Sequence, residues 1–338
     1  MHCTDKWNYE KGNSPVFWAV NKEGKRNGYE KTCTAENVRV GTGRNYGFEP
    51  GSVRFGPAGN SDSFSRVHRS SLAAPGWIAE RGLDCYEYQC GKGVHVGEDT
   101  ARRVGENAME AGISLSLHAP YFINLANPDP EALKKTISYI TGACLAASWM
   151  GAERVVIHSG ALMKRSRHEA LETARASLRE VIAACDGAGF GHIALCPETM
   201  GKINQLGDLD EVLELCTLDE RLIPCIDFGH LYARSLGADD GAEAFGRMLD
   251  RVESVLGQSR ASVFHSHFSH IQFTPGGGEK CHRTFDDDDG YGPDWAPLAR
   301  AIARRGWSPT FICESAGTQA KDALTMKRIY QEVLTAQG

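Results

Sequence analysis

The chain has 338 residues, 41% of them hydrophobic and 24% charged, with a formal net charge of −6. That suits a globular enzyme built on one barrel of about 250 residues plus an extension. It argues against a membrane span, since no apolar stretch approaches roughly 20 residues, and against a broad basic surface that grips nucleic acid by charge alone. Bound divalent cations would still add positive charge locally. The 11 cysteines follow no framework spacing. Several, such as Cys144, Cys196, Cys225 and Cys313, fall inside predicted elements, as reduced buried thiols of a cytoplasmic protein would. MHCTDKWNYEKGNS lacks the apolar core of a signal peptide.

Residues 1–50 are polar, rich in Gly, Lys, Asn and Glu, and show no sustained period of 2 or 3.6. We expect a loose N-terminal extension there and a single domain over residues 51–338. SVRFGPAGN reads as the first strand, SSLAAPGWIAERG as a helix, LDCYEYQCGKGV as the second strand and TARRVGENAMEAG as a helix. ISLSLHAP is the third strand, and residues 129–150 form an amphipathic helix with a proline near its start. RVVIHSG, HIALCPETMG, LIPCIDFGH, SVFHSHFSHIQFT and SPTFICESAG continue the strands, each followed by a helical segment. Eight strands alternating with eight helices predict a (β/α)8 TIM barrel. An open doubly wound sheet shares the periodicity, but no strand is followed by G-x-G-x-x-G.

Metal-ligand residue types recur where these strands end: His118, His158, Glu198, Asp227, His230, His267 and Glu314, with His282 in the loop after strand seven. Side chains at the C-terminal strand ends of a barrel converge on one mouth. Imidazoles and carboxylates in that number exceed what one ion uses. Glu198, Asp227, His267 and Glu314 would hold a divalent ion with open positions, and His118 and His158 add nitrogen donors suited to zinc. His230, three residues after Asp227, lets that pair address two neighbouring ions from one strand end. A lone strand-end histidine is more often structural, but selective occupation of so many strand ends argues for a site. By alternation His265 shares a face with His267, so either can be the ligand. The run Asp286 to Asp289 reads as a solvated acidic loop.

At HAPYFINLA, VVIHSG, PETMGKINQLG, CIDFGHLYA, HSHFS, EKCH and ICES the chain resembles the endonuclease IV family of apurinic/apyrimidinic endonucleases, within the xylose-isomerase-like barrel superfamily. The resemblance covers about residues 53–335. It implies zinc, two or three ions, although these ligands also accept Mn²⁺. His118 and His158 would bind the first ion, and Glu198 would bridge the first and second. Asp227, His267 and Glu314 would complete the second, and His230 and His282 would bind a third. It further implies double-stranded DNA as partner, cut 5′ to abasic sites by a metal-activated hydroxide, with Glu198 and Glu314 as the catalytic carboxylates. Tyr121 and Phe122 stand where family members insert an aromatic–apolar wedge into the base stack, and Lys92 in the loop after strand two is a candidate phosphate contact. One departure matters. The family's third-metal motif is Asp-x-His, whereas Lys280 stands two before His282, and an ammonium cannot ligate a cation. Glu279 meets the need only by a one-residue shift.

The alternative is a divalent-metal sugar isomerase or epimerase of the same superfamily, which uses a set matching Glu198, Asp227, His267 and Glu314 alone. His118, His158, His230 and His282 discriminate, because a mononuclear isomerase does not need them. A non-catalytic metal- or sugar-phosphate-sensing barrel is a third expectation, one that a retained bridging Glu198 disfavours.

Overall fold

Among the described residues, short apolar runs closed by glycine or turn residues form ten strands. They are β1 (Arg54–Pro57), β2 (Cys85–Gln89), β3 (Ser114–His118), β4 (Arg154–His158), β5 (Ala194–Glu198), β6 (Cys225–Asp227), β7 (His265–Phe268), β8 (His270–Thr274), β9 (Gly278–Arg283) and β10 (Thr310–Cys313). This computed structural model describes residues 52–337; the predicted extension over 1–50 lies outside them. Eight strands pair in parallel in the order β1-β10-β7-β6-β5-β4-β3-β2. A bridge between Ala58 and Glu87 and a 2.9 Å bond from Gly59 N to Glu87 O join the ends, so the sheet closes into the predicted barrel. Gly56 permits the closure: a Cβ there would lie 1.8 Å from the Cys85 carbonyl oxygen.

Helices follow the strands, and local chemistry sets their ends. Asp129 caps the helix Pro130–Met150, and its side chain accepts from Glu131 N. Ser166 with Glu169, and Asp208 with Glu211, form reciprocal capping boxes. Gly112, Gly151 and Gly306 close three helices in the left-handed conformation. Phe55, Phe311 and Trp295 pack where β1 and β10 meet the helix Trp295–Arg305, with Trp295 and Phe311 centroids 4.8 Å apart. Each such ring, fully buried, contributes about 1.5–3 kcal/mol. Among the described residues no helix is long and apolar enough to cross a membrane.

Two elements depart from expectation. The predicted sixth strand stops at Asp227, because the Asp227 side chain accepts from His230 N and caps the helix Phe228–Arg234. His230 therefore sits on a helical first turn, not at a strand end. The predicted seventh strand breaks at Ser269. Its second half, β8, pairs antiparallel with β9 in a separate hairpin, turned by Pro275 and the glycines after it.

Candidate metal centre

Strand register brings the ligand types together. His158 pairs with Glu198 across β4 and β5, and Asp227 with His267 across β6 and β7. Glu198, 1% exposed, divides its two oxygens. Its Oε2 lies 3.2 Å from His118 Nε2 and 3.3 Å from His158 Nε2, while Oε1 lies 2.9 Å from His267 Nδ1. Two donors on one tetrahedral zinc stand about 3.3 Å apart, given bonds of about 2.0–2.1 Å. Glu314, directly after β10, places Oε2 3.5 Å from His267 Nδ1. One donor atom each from Glu198, Asp227, His267 and Glu314 falls within 4.8 Å of the others, as it does for His118, Glu198 and His267.

Second contacts fix which nitrogen faces inward. His118 Nδ1 donates to Ala119 O at 2.7 Å and His230 Nδ1 to Thr199 O at 2.8 Å. A carbonyl can only accept, so in the neutral ring the lone pair falls on Nε2, open to a ligand once the second proton leaves. His282 Nδ1 meets Ser269 Oγ at 2.7 Å. Asp227 Oδ1 is spent on the His230 N–H at 2.8 Å. Its buried Oδ2 has no hydrogen-bond partner; His230 Nδ1 lies 3.1 Å away, but that N–H is aimed at Thr199. An orphaned buried carboxylate oxygen beside three other ligand-type groups fits a divalent cation.

Charge is held in balance by these contacts. Burial works against the His118 cation, but the hydrogen bond and charge of Glu198 hold its pKa up to about 9. Burial is likewise overcome at His230 by Asp227, Glu279 and Glu198, again to about 9. Glu198 is buried too, yet the facing histidines, His267 first, hold its carboxyl well below the ordinary range. Burial, reinforced by Glu314, raises Asp227 against the pull of His230.

Strand β7 places its two histidines differently. His267 faces Glu198 and Glu314, whereas His265 Nε2 lies 2.8 Å from Glu87 Oε2, one layer deeper. Glu87 is a residue that sequence reasoning missed. It is fully buried on β2, accepts from Ser116 Oγ at 2.9 Å and Gln89 Nε2 at 3.0 Å, and stands 2.9 Å from His267 Nε2. That last approach is off the N–H line, since His267 Nε2 makes no hydrogen bond. The missed signal is a glutamate alternating with Tyr86 and Tyr88 in a strand otherwise too apolar to face solvent. We expect Glu87→Gln to weaken metal binding about 10–100-fold, checked by chelator competition. Unchanged affinity would reduce Glu87 to a packing role.

Tyr121 and Phe122 project from the loop after β3, 55% and 43% exposed, with ring centroids 5.8 Å apart. Tyr121 N bonds to Gly91 O at 3.3 Å, so this loop touches the β2 loop that carries the exposed Lys92. The acidic run is held by cations: Asp286 pairs with Lys321, and Asp287 and Asp289 with Arg283. His230 and His282 have rings 5.7 Å apart, with Glu279 beside them, and His230 Nδ1 lies 3.6 Å from Glu198 Oε1.

Residues 75–332 match the family described as xylose isomerase-like TIM barrel. The chain belongs to that family. Within it, an uncharacterized protein of Methanocaldococcus jannaschii is 31% identical over 256 residues, 76% of this chain and 90% of that one. A probable endonuclease 4 of Acholeplasma laidlawii is 27% identical over 164 residues, 46% of this chain and 54% of that one. The chain thus spans about half the length of that endonuclease. Two solved structures share the barrel at 17% identity, and each aligns over 84% of this chain and 99% of its own. They are endonuclease IV from Thermus thermophilus, with a TM-score of 0.58, and a D-tagatose 3-epimerase-like protein, at 0.64. At that identity the likeness speaks for the fold alone.

Proposed function

We propose that this xylose isomerase-like barrel is a divalent-metal-dependent endonuclease, with zinc as its resident metal, that cleaves DNA 5′ to abasic sites. The observation that carries the reading is the placement of His118 and His158 on Glu198. They lie outside the four-ligand set that a mononuclear isomerase uses, and they give Glu198 a second group of donors to serve. When bound, clustered ions supply activation of water and neutralisation of phosphate charge. The protein's part is to hold them. Glu198 presents one oxygen to His118 and His158 and the other to His267, as a bridging carboxylate does. Asp227 Oδ2, Glu314 and His267 Nδ1 complete the second group, while Ala119 O and Thr199 O lock the imidazoles in their ligating tautomers.

Tyr121 and Phe122 would enter the stack at the lesion, where a missing base lowers the cost of unstacking, and Lys92 would meet the backbone. Tyr121→Ala is expected to weaken binding of an abasic duplex by about 1–3 kcal/mol, read by fluorescence anisotropy, with metal content unchanged. Equal affinity in the variant would remove the wedge. A sugar epimerase is the second reading, favoured by the closeness of Glu198, Asp227, His267 and Glu314 as a self-sufficient set. The deciding experiment offers the metal-loaded protein a duplex with one abasic site and, separately, a panel of ketoses. Incision 5′ to the lesion supports the endonuclease; ketose turnover without incision overturns it.

A further inference from the structure

We infer that the end of the barrel opposite the candidate metal centre binds a small oxyanion that carries a hydroxyl, of the hydrogen phosphate class. Strand register assembles this floor. Arg54 pairs with Thr310, and Thr310 with His265, across β1, β10 and β7. Arg154 pairs with Ser116 across β4 and β3. Arg54, Arg154, His265 and Thr310 each open their strand, so they ring the N-terminal end. With Ser114 and Ser116 they line a cavity of about 40 Å³. One water needs about 10–15 Å³ on the same measure, so the space takes a compact ion and no sugar.

The polar groups left over in this floor are those an anion would answer. Arg154 Nη2 reaches across from β4 and donates to Val263 O, just before β7, at 2.9 Å. Its buried Nη1 has no hydrogen-bond partner. Burial lowers the Arg154 pKa, and the charge of Arg54 pushes the same way. An oxyanion answers both cations at once, and a guanidinium presents the planar fork that fits it. Glu153 also lines the cavity, but it is exposed, where solvent and salt screen its charge.

His265 selects among oxyanions. The ring is fully buried, and its Nε2 lies 2.8 Å from Glu87 Oε2. That carboxylate accepts from Ser116 and Gln89 as well, so the hydrogen of the neutral ring sits on Nε2. Nδ1 then holds a lone pair, buried and without a partner. Two cations call for negative charge, and one lone pair calls for an O–H. Hydrogen phosphate supplies both. Sulfate, fully ionised at neutral pH, supplies only the first. The Thr310 hydroxyl, 6% exposed, is placed to donate to a further oxygen.

The test is calorimetric titration of the full-length, metal-loaded protein with inorganic phosphate and, separately, with sulfate. Phosphate is expected to bind the floor at least about tenfold more tightly than sulfate. Ions at the mouth can also attract phosphate, so variants locate the site. Glu198→Gln alters the mouth and should keep one equivalent of phosphate with its preference over sulfate. Arg154→Met should weaken that equivalent at least about tenfold, with circular dichroism unchanged. Thr310→Val keeps the shape, removes one hydroxyl and should weaken it about fivefold, which serves if Arg154→Met does not fold. Parental affinity in the folded floor variants would overturn the inference, and so would loss of all phosphate binding in Glu198→Gln. Equal affinity for sulfate and phosphate, or no binding of millimolar phosphate by the parent, would overturn it too.

Discussion

Glu198→Gln is expected to leave the barrel folded and to cut incision of an abasic duplex by at least about 10³-fold, some 4 kcal/mol of transition-state stabilisation. Among the described residues, no other side chain in the mouth faces His118, His158 and His267 at once. An amide has one accepting oxygen, so one of its two groups of donors would meet an N–H₂ instead, and the negative charge that the histidines answer would be gone. Volume is kept, so the packing around this buried residue survives. The measurement is single-turnover incision at saturating Zn²⁺ or Mn²⁺, with metal content and melting temperature recorded alongside. Parental turnover in a folded variant would refute the bridging role.

Metal uptake at neutral pH should release protons, and apparent affinity should rise with pH up to about 9. His118 and His230 have pKa values raised from 6.5 to about 9 in the metal-free fold, against their burial. Below 9 both are mainly protonated, whereas a ligating imidazole must be neutral. Each displaced proton gives about a tenfold gain in affinity per pH unit. The stability linkage runs the other way. For groups whose folded pKa is raised, the stabilisation is complete below the unfolded value near 6.5 and is lost as pH climbs through about 9. The metal-free protein should therefore melt lower at alkaline pH while the loaded protein holds. Calorimetry in buffers of different ionisation enthalpy counts the protons; uptake without release would mean the histidines are already neutral.

The barrel, and the meeting of His118, His158, Glu198, Asp227, His267 and Glu314 at its mouth, are legible in the sequence because these residues stand at the ends of short apolar runs that a parallel barrel brings together. What is hidden is hidden for local reasons. HSHFSHIQFT reads as one run, yet Phe268 and Ile271 stand three apart, so the apolar alternation changes phase at Ser269; that shift and the PGGG turn beyond it are the marks of the hairpin. The role of Asp227 as a helix cap, which moves His230 from strand to helix, depends on a side-chain hydrogen bond that spacing alone does not reveal. Glu87 draws no notice in CYEYQ because only closure of the barrel turns its face into the interior. Glu279 cannot be assigned from a two-residue rule, because its phase depends on a bulge that appears only in the pairing with β8.

The division of labour within Asp227 limits how such a centre can drift. One oxygen begins a helix and the other is buried without a hydrogen-bond partner, so on the proposed reading position 227 serves two ends at once. Glutamate would reach an ion but is not among the favoured caps, and serine or asparagine would cap the helix but bring no charge to the site. Change in metal preference or reaction is therefore easier at Glu314 or in the β8–β9 hairpin, where a ligand can be exchanged without unwinding the backbone that carries it.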